Sequence, residues 1–140
     1  MANIQVQKLT KSFGDNPAVS EIDLAISNGS FVVLLGPTGA GKTTLLRLIS
    51  GLERPDSGRV FIDDTDCSGQ TPAERNVAMV FQQYSLYPHM SVRENLAFPL
   101  KSRMLSVTES EINQKIETIA QTLRIDHKLS NKSTELSGGE

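Results

Sequence analysis

The sequence predicts an α/β fold in which a glycine-rich loop joins a central strand to a helix. Three consecutive segments support this prediction: the apolar run Phe31 to Leu35, the loop Gly36 to Thr43, and an apolar helix that Gly51 ends. An unbroken apolar run is typical of a strand buried on both faces of a parallel sheet. A glycine commonly terminates a helix. We expect this strand–loop–helix unit to form the centre of the fold.

Length and composition indicate one soluble globular domain. The chain has 140 residues, of which 38% are apolar and 21% charged, with a formal net charge of -2. A nucleic-acid-binding protein usually shows a basic excess, which is missing here. No apolar run approaches the ~20 residues that span a bilayer. Cys67 is the only cysteine, which excludes an intrachain disulfide and favours a reducing compartment such as the cytoplasm.

The segment before the loop predicts an antiparallel β piece. Apolar and polar residues alternate from Ile4 to Leu9 and again from Ile22 to Ile26, as expected for half-buried strands. The turn dipeptide Asn28-Gly29 then separates the second strand from the apolar run. This arrangement predicts a hairpin between them.

The segment after the loop predicts two further strands followed by helices. Arg59 to Ile62 and Val77 to Phe81 are strand-like, and Val92 to Phe98 predicts a short helix. Thr108 and Glu111 have the spacing of a capping box. The helix that they open carries one apolar stripe, formed by Ile112, Ile116, Ile119, Ala120 and Leu123. A helical part of the domain therefore follows the second apolar strand.

The loop has the chemistry of a polyphosphate-binding site. It reads G-x-x-x-x-G-K-T from Gly36 to Thr43. Glycines let the backbone curl and present successive N–H groups to an anion, and the following helix points its positive end at the same place. Lys42 suits the β- and γ-phosphates of a nucleotide, and the Thr43 hydroxyl suits Mg²⁺. A dinucleotide fingerprint is excluded, because Thr44 stands where its third glycine belongs. The remaining alternative is a glycine-rich turn with an incidental lysine.

Five segments in one order resemble the ATP-binding subunit of ATP-binding-cassette (ABC) transporters. They are Lys11-Ser12-Phe13-Gly14, Gly36 to Thr44, Gly51 to Gly58, Val80-Phe81-Gln82 and Leu136-Ser137-Gly138-Gly139. The resemblance covers nearly the whole chain. It implies a P-loop NTPase core of the ABC type, an N-terminal antiparallel β subdomain and the start of a helical subdomain. It also implies ATP and Mg²⁺ as ligands.

The resemblance assigns roles to individual residues. It implies that Phe13 stacks on adenine, that Gln82 binds Mg²⁺ or positions the attacking water, and that Lys42 acts in catalysis. The phosphates would meet Gly36, Pro37, Thr38, Gly39, Ala40, Gly41, Lys42, Thr43 and Thr44. The γ-phosphate on the opposing subunit of a homodimer would meet Ser137, Gly138 and Gly139. The alternatives are a core phenylalanine at 13, a surface glutamine at 82 with Gln83 in its role, and a solvated tail at 137–139.

Two departures from the family pattern concern hydrolysis. Glu140 stands where the signature motif commonly has glutamine, and the Asp-Glu pair and switch histidine that would follow are not in the sequence. We therefore expect an incomplete domain, with residues 1–83 in its core and β part and residues 84–140 in an incomplete helical subdomain. Such a chain is expected to bind ATP without hydrolysing it, whereas the full-length parent would be an ATP hydrolase.

The segment from Tyr87 to Val92, followed by Glu94-Asn95, resembles the ATPases of carbohydrate-type importers. This implies import of a sugar or related solute, a peripheral location on the cytoplasmic side of the membrane, and contact between Tyr84 to Val92 and membrane permease subunits. Ordinary core packing is the alternative for Leu86 and Tyr87. A soluble ABC ATPase of DNA repair or translation, or a nucleotide-binding remnant, is the alternative for the whole chain.

Two other patterns that could indicate a metal site lack the ligands that such a site requires. Asp63, Asp64 and Asp66 resemble the start of a calcium loop, but Arg75 occupies the position that requires a bidentate glutamate. The two histidines, His89 and His127, have no second ligand at metal-binding spacing. We interpret the acidic run as a solvated turn and His127 as a surface residue.

Overall fold

The alternating residues near the N-terminus form the first strands of an antiparallel sheet. The computed structural model describes residues 2–82, 85–102 and 105–137, in two units, Met1–Met79 and Val80–Glu140. The sheet of the first unit has the strand order β2-β1-β3-β4, and each neighbouring pair is antiparallel. The strands are β1 (Ile4–Phe13), β2 (Asn16–Ile26), β3 (Ser57–Ile62) and β4 (Thr65–Asp66). The predicted N-terminal β piece and the strand predicted over 59–62 are thus confirmed.

The hairpin lies earlier in the chain than predicted. β1 and β2 turn at Gly14 and Asp15, where Phe13 pairs with Asn16. A turn does form around Gly29, since the Ser30 N–H donates to the Ser27 carbonyl at 3.1 Å. The chain nevertheless leaves the sheet after this turn, so the hairpin predicted at Asn28-Gly29 is wrong.

Neither of the two apolar runs that predicted buried strands forms a strand. Residues 31–35 and 77–81 have no regular structure, and Phe31 and Val80 are 93% and 89% exposed. A strand buried on both faces requires hydrogen-bonded neighbours and a covering layer on each side. The sheet of the described residues is antiparallel and includes neither run. The expected central strand is therefore wrong: residues 31–35 form a largely exposed segment without regular structure, from which Leu34 packs against the core of the first unit.

One helix packs on the sheet of the first unit. Apolar residues at helical spacing place Leu45, Leu48 and Ile49 on one face of α1 (Lys42–Ser50), as an amphipathic helix requires. Gly51 ends the helix in the left-handed conformation (φ 81°), and its N–H donates to the Leu48 carbonyl at 3.3 Å. The predicted stop at Gly51 is confirmed. The core of this unit consists of Val6, Leu9, Val19, Leu45, Leu48, Ile49 and Val60.

The second unit is helical. Its helices α2 (Val92–Ala97) and α3 (Glu109–Leu123) each begin with a capping box, and the box predicted at Thr108 and Glu111 is confirmed. Its core consists of Val92, Ala97, Ile112, Ile116, Ala120 and Leu129. Ile119 and Leu123 were expected in the buried stripe but are exposed. Across the described parts of both units, every helix falls short of the length and apolarity that crossing a membrane demands.

Candidate nucleotide-binding site

The glycine-rich loop lies close to the β1–β2 hairpin at Gly41. Gly39 and Gly41 have φ values of 83° and 81°, a region that residues with a Cβ rarely adopt. A Cβ on Gly41 would lie 2.1 Å from the carbonyl oxygen of Ala18 in β2. A side chain at position 41 is therefore excluded both by backbone conformation and by the approach of β2.

The lysine of the loop is folded across the loop backbone. Lys42 Nζ donates to the carbonyl oxygens of Gly36 at 2.8 Å and Pro37 at 2.7 Å. These bonds hold a positive charge over the start of the loop. An ammonium group has three N–H donors, so it can donate to a phosphate oxygen as well as to the loop.

The N-terminus of α1 differs from those of the other two helices. α2 and α3 satisfy their first-turn N–H groups with a serine or threonine cap and carry glutamate there. The N-cap of α1 is Gly41, which makes no side-chain hydrogen bond, and its first turn has no acidic residue. Unsatisfied N–H groups and the positive end of a helix dipole attract anions. The first turn instead offers hydroxyl groups, those of the exposed Thr43 and the half-buried Thr44.

The predicted adenine-stacking residue lies on the hairpin that contacts the loop. Phe13 ends β1 and is 49% exposed. It pairs with Asn16, and Ala18, which contacts Gly41, lies two residues further along β2. The alternative of a core phenylalanine is wrong for this residue. The Lys11 ammonium lies 5.4 Å from the centre of the Phe13 ring, within cation–π distance.

Sequence reasoning missed Arg75, which binds the other end of the same helix. Arg75 is only 5% exposed, and its Nη1 donates to the carbonyls of Leu48 and Ile49, each at 2.8 Å, while its Nε donates to Gln70 at 3.1 Å. A cation there complements the negative end of the helix dipole. Burial lowers the pKa of Arg75 below its usual value. A single arginine in a polar segment gives no local signal of this role.

The remaining predicted site residues belong to the second unit. Gln82 is exposed at a bend, and Ser137 is exposed after a short 3-10 turn, Ser133–Glu135. Gln83, Tyr84, Gly138, Gly139 and Glu140 lie outside the described residues, so the predictions made for them stay predictions. Among the residues that the structure does describe, no three His, Cys, Asp or Glu side chains group as a metal site.

The loop that precedes α2 is fixed from within the second unit. The Asn95 side chain accepts from the Tyr87 N–H at 2.9 Å and donates to the carbonyls of Tyr87, Met90 and Ser91. The Tyr87 ring packs on Phe98 with a centroid distance of 4.6 Å. Leu86, Tyr87 and Phe98 nevertheless remain exposed. The result is an ordered surface loop with an apolar, aromatic face.

Comparison with known proteins connects this site to a family. The family model described as "ABC transporter" matches residues 19–140. The chain is 46% identical over 140 residues to the maltose/maltodextrin import ATP-binding protein MalK of Klebsiella aerogenes. It is 44% identical over 137 residues to the spermidine/putrescine import ATP-binding protein PotA of Pseudomonas aeruginosa. The first alignment covers 100% of this chain and 47% of the relative. The second covers 98% of this chain and 37% of the relative.

Solved structures give the same result. A nucleotide-free ATP-binding cassette from an ABC transporter superposes with a TM-score of 0.83 at 27% identity, covering 99% of this chain and 60% of that one. The dimeric, post-hydrolysis ATP-binding cassette MJ0796, bound to ADP and Pi, superposes with a TM-score of 0.81 at 28% identity, covering 96% of this chain and 63% of that one. The expected fold class is thereby confirmed. The chain belongs to the ABC transporter family.

Proposed function

We propose that this chain is the ATP-binding part of an ABC transporter ATPase that couples ATP binding and hydrolysis to solute import. The observation that carries the proposal is the Lys42 ammonium, which is held over a glycine loop at the only one of the three described α-helices that lacks a side-chain cap. A polyphosphate supplies the negative charge that this arrangement attracts.

Mg-ATP is the ligand proposed for this site. Lys42 binds the β- and γ-phosphates, the N–H groups from Gly36 to Thr44 surround them, and the Thr43 hydroxyl binds Mg²⁺. Phe13 stacks on adenine, and Gln82 completes the metal site or positions water. The solved structure of the relative MJ0796, bound to ADP and Pi, supports a nucleotide ligand. Catalysis in such ATPases is mainly positioning and electrostatic stabilisation.

The proposed working unit is larger than this chain. The chain spans about half or less of the curated relatives named above, so hydrolysis and transport are proposed for the whole protein. A dimer, as in MJ0796, would place Ser137, Gly138 and Gly139 against the γ-phosphate bound by the second subunit. The relatives are all import ATP-binding proteins, although each is named for a different solute. This favours an import ATPase at the cytoplasmic face of a membrane. A sugar or related solute is the class that we propose.

The loop before α2 is proposed to bind a membrane permease subunit. The loop presents the exposed Leu86 and Tyr87, which Asn95 holds in place, and Phe98 at the end of α2 packs beside Tyr87. Exposed apolar residues with tyrosine are typical of protein interfaces. A photo-cross-linker at Leu86 should capture the permease subunit in membranes, whereas one at the exposed Lys115 on α3 should not. Equal capture at both positions would argue against the assignment.

The phosphate site is tested by replacing its lysine. We expect Lys42→Ala in the full-length protein to weaken Mg-ATP binding about 10- to 100-fold, because a charge-assisted hydrogen bond to phosphate is lost. Lys115→Ala removes the same charge from an exposed site on α3 and should leave the affinity unchanged. Isothermal titration with Mg-ATP measures both. An unchanged affinity in Lys42→Ala would contradict the assignment.

A further inference from the structure

Lys11 occupies an unusual place for a lysine on a strand. Its side chain is only 14% exposed, and its ammonium lies 5.4 Å from the centroid of the Phe13 ring, two residues further along β1. Alternate residues of a strand lie on the same face of the sheet. The pairing of ammonium and ring therefore follows from the strand itself.

Two carboxylates hold this ammonium in place. Lys11 Nζ lies 3.1 Å from Glu53 Oε1 and 3.3 Å from Asp56 Oδ1. The second carboxylate is fixed in turn, since Asp56 Oδ2 accepts from the Ser12 N–H at 2.7 Å and the Asp56 N–H donates to the Thr10 carbonyl at 2.9 Å. The cation thus has a defined position rather than the mobility of a surface lysine.

The two carboxylates, of Glu53 and Asp56, lie in the segment that follows α1. The Glu53 N–H donates to the carbonyl of Arg47 in the last turn of α1 at 3.1 Å. The same network therefore touches the aromatic ring at the end of β1 and the segment after α1. Lys11 therefore connects the Phe13 ring to the C-terminal end of α1, the end opposite the proposed phosphate site.

We propose that Lys11 is a positioning residue for the nucleotide base: it fixes one face of the Phe13 ring and leaves the opposite face to stack on a purine. This inference rests on the proposed function, in which Phe13 stacks on adenine. A cation held on one face stabilises the ring in a single orientation. A preorganised stacking surface binds its ligand more tightly, because less freedom is lost on binding.

The experiment separates the base from the phosphates. Mg-ATP and Mg-tripolyphosphate, which has no base, are titrated into the full-length protein as wild type, Lys11→Met, Phe13→Ala and the double variant. We expect Lys11→Met to weaken ATP binding about three- to tenfold and to leave tripolyphosphate binding unchanged. In the Phe13→Ala background the same change should have no further effect. Lys11→Arg, which keeps a cation on the ring, should retain the wild-type affinity for ATP.

The matched control is Lys8→Met, which removes the same charge from the same strand at a residue outside this network. It should leave both ligands unaffected. An equal loss of ATP and tripolyphosphate binding in Lys11→Met, or a loss that persists without Phe13, would overturn the inference. If Phe13→Ala leaves ATP binding unchanged, the stacking role of Phe13 is contradicted, and so is the positioning role of Lys11. Absence of tripolyphosphate binding in the wild type would instead contradict the proposed phosphate site.

Discussion

At the scale of single residues, the clearest structural role belongs to Arg75. A buried cation requires compensation, and Arg75 obtains it from hydrogen bonds to three carbonyl oxygens, with a further favourable charge from Asp66. Two of these carbonyls are among the last four of α1, which have no i+4 partner within the helix, and the Leu48 carbonyl accepts from Arg75 as well as from the Gly51 N–H. Gly51 makes room for this contact, since a Cβ there would lie 2.7 Å from Arg75 Nε. Arg75 and Gly51 therefore together satisfy the carbonyl groups at the C-terminal end of α1.

Replacing this arginine should destabilise the first unit. We expect Arg75→Met to lower the free energy of unfolding by about 2–4 kcal/mol, because the buried carbonyls of Leu48 and Ile49 and the partly buried carbonyl of Gln70 lose a charged donor. Arg59→Met is the control: this arginine is exposed and has one distant ion pair, at 3.9 Å from Asp66. Its loss should cost less than about 0.5 kcal/mol. Urea denaturation followed by circular dichroism measures both, and similar shifts in the two variants would contradict the role given to Arg75.

At the scale of elements, the three described α-helices differ in what satisfies the N–H groups of their first turns. α2 and α3 use their own side chains, Ser91 with Glu94 and Thr108 with Glu111, to satisfy first-turn N–H groups. α1 begins at a glycine and has no acidic residue in its first turn. The capped helices gain stability locally, whereas the first N–H groups of α1 have no side-chain cap and are available to the proposed phosphate ligand.

The contribution of a cap can be measured on α3. We expect Thr108→Ala to lower stability by about 1 kcal/mol, since the Glu111 N–H loses its acceptor and the Glu111 carboxylate loses the hydroxyl at 2.7 Å. Thr122→Ala changes the same residue type inside the helix, where the hydroxyl bonds only to the Thr118 carbonyl. It should be close to neutral, because alanine has the higher helix propensity. Denaturant midpoints give the comparison, and an equal loss at both positions would refute the capping role.

At the scale of the whole molecule, carboxylates with lowered pKa values occur in both units. Each accepts a hydrogen bond from a nearby backbone N–H or hydroxyl group, which stabilises the charged form. For Asp56 and Glu111 the largest cause of the lowered pKa is the backbone N–H, of Ser12 and of Thr108 respectively. The others with lowered pKa values are Asp66, Glu74 and Glu94.

These shifts predict a loss of stability in acid. A carboxyl whose pKa is lower in the folded state takes up its proton first in the unfolded state, so stability falls as the pH falls. The contribution is present above the ordinary values, 3.8 for aspartate and 4.5 for glutamate, and is lost as the pH drops through the lower folded values. We expect the urea midpoint to fall steadily below about pH 4.5. Asp56→Asn should reduce this slope; a midpoint that is constant from pH 7 to 3 would contradict the prediction.

The sequence by itself determined the features that depend on neighbours along the chain. The glycine loop, the helix that ends at Gly51 and the capping box of Thr108 with Glu111 each follow from residues within ten positions of one another. Hydrogen bonds of turns and caps are local, so their residue types are readable without a fold. Family membership also followed from the order of the short motifs.

Only the tertiary structure decided the features whose partners lie far away in sequence. The 31–35 and 77–81 runs have the apolar pattern of buried strands, but a strand forms only where a neighbour supplies hydrogen bonds. The contact of Gly41 with Ala18, the bonds from Arg75 to α1 and the placement of Lys11 between Phe13 and Glu53 each join separate segments. The identity of a residue does not indicate such a partner, because the partner is set by how distant segments of the chain pack together.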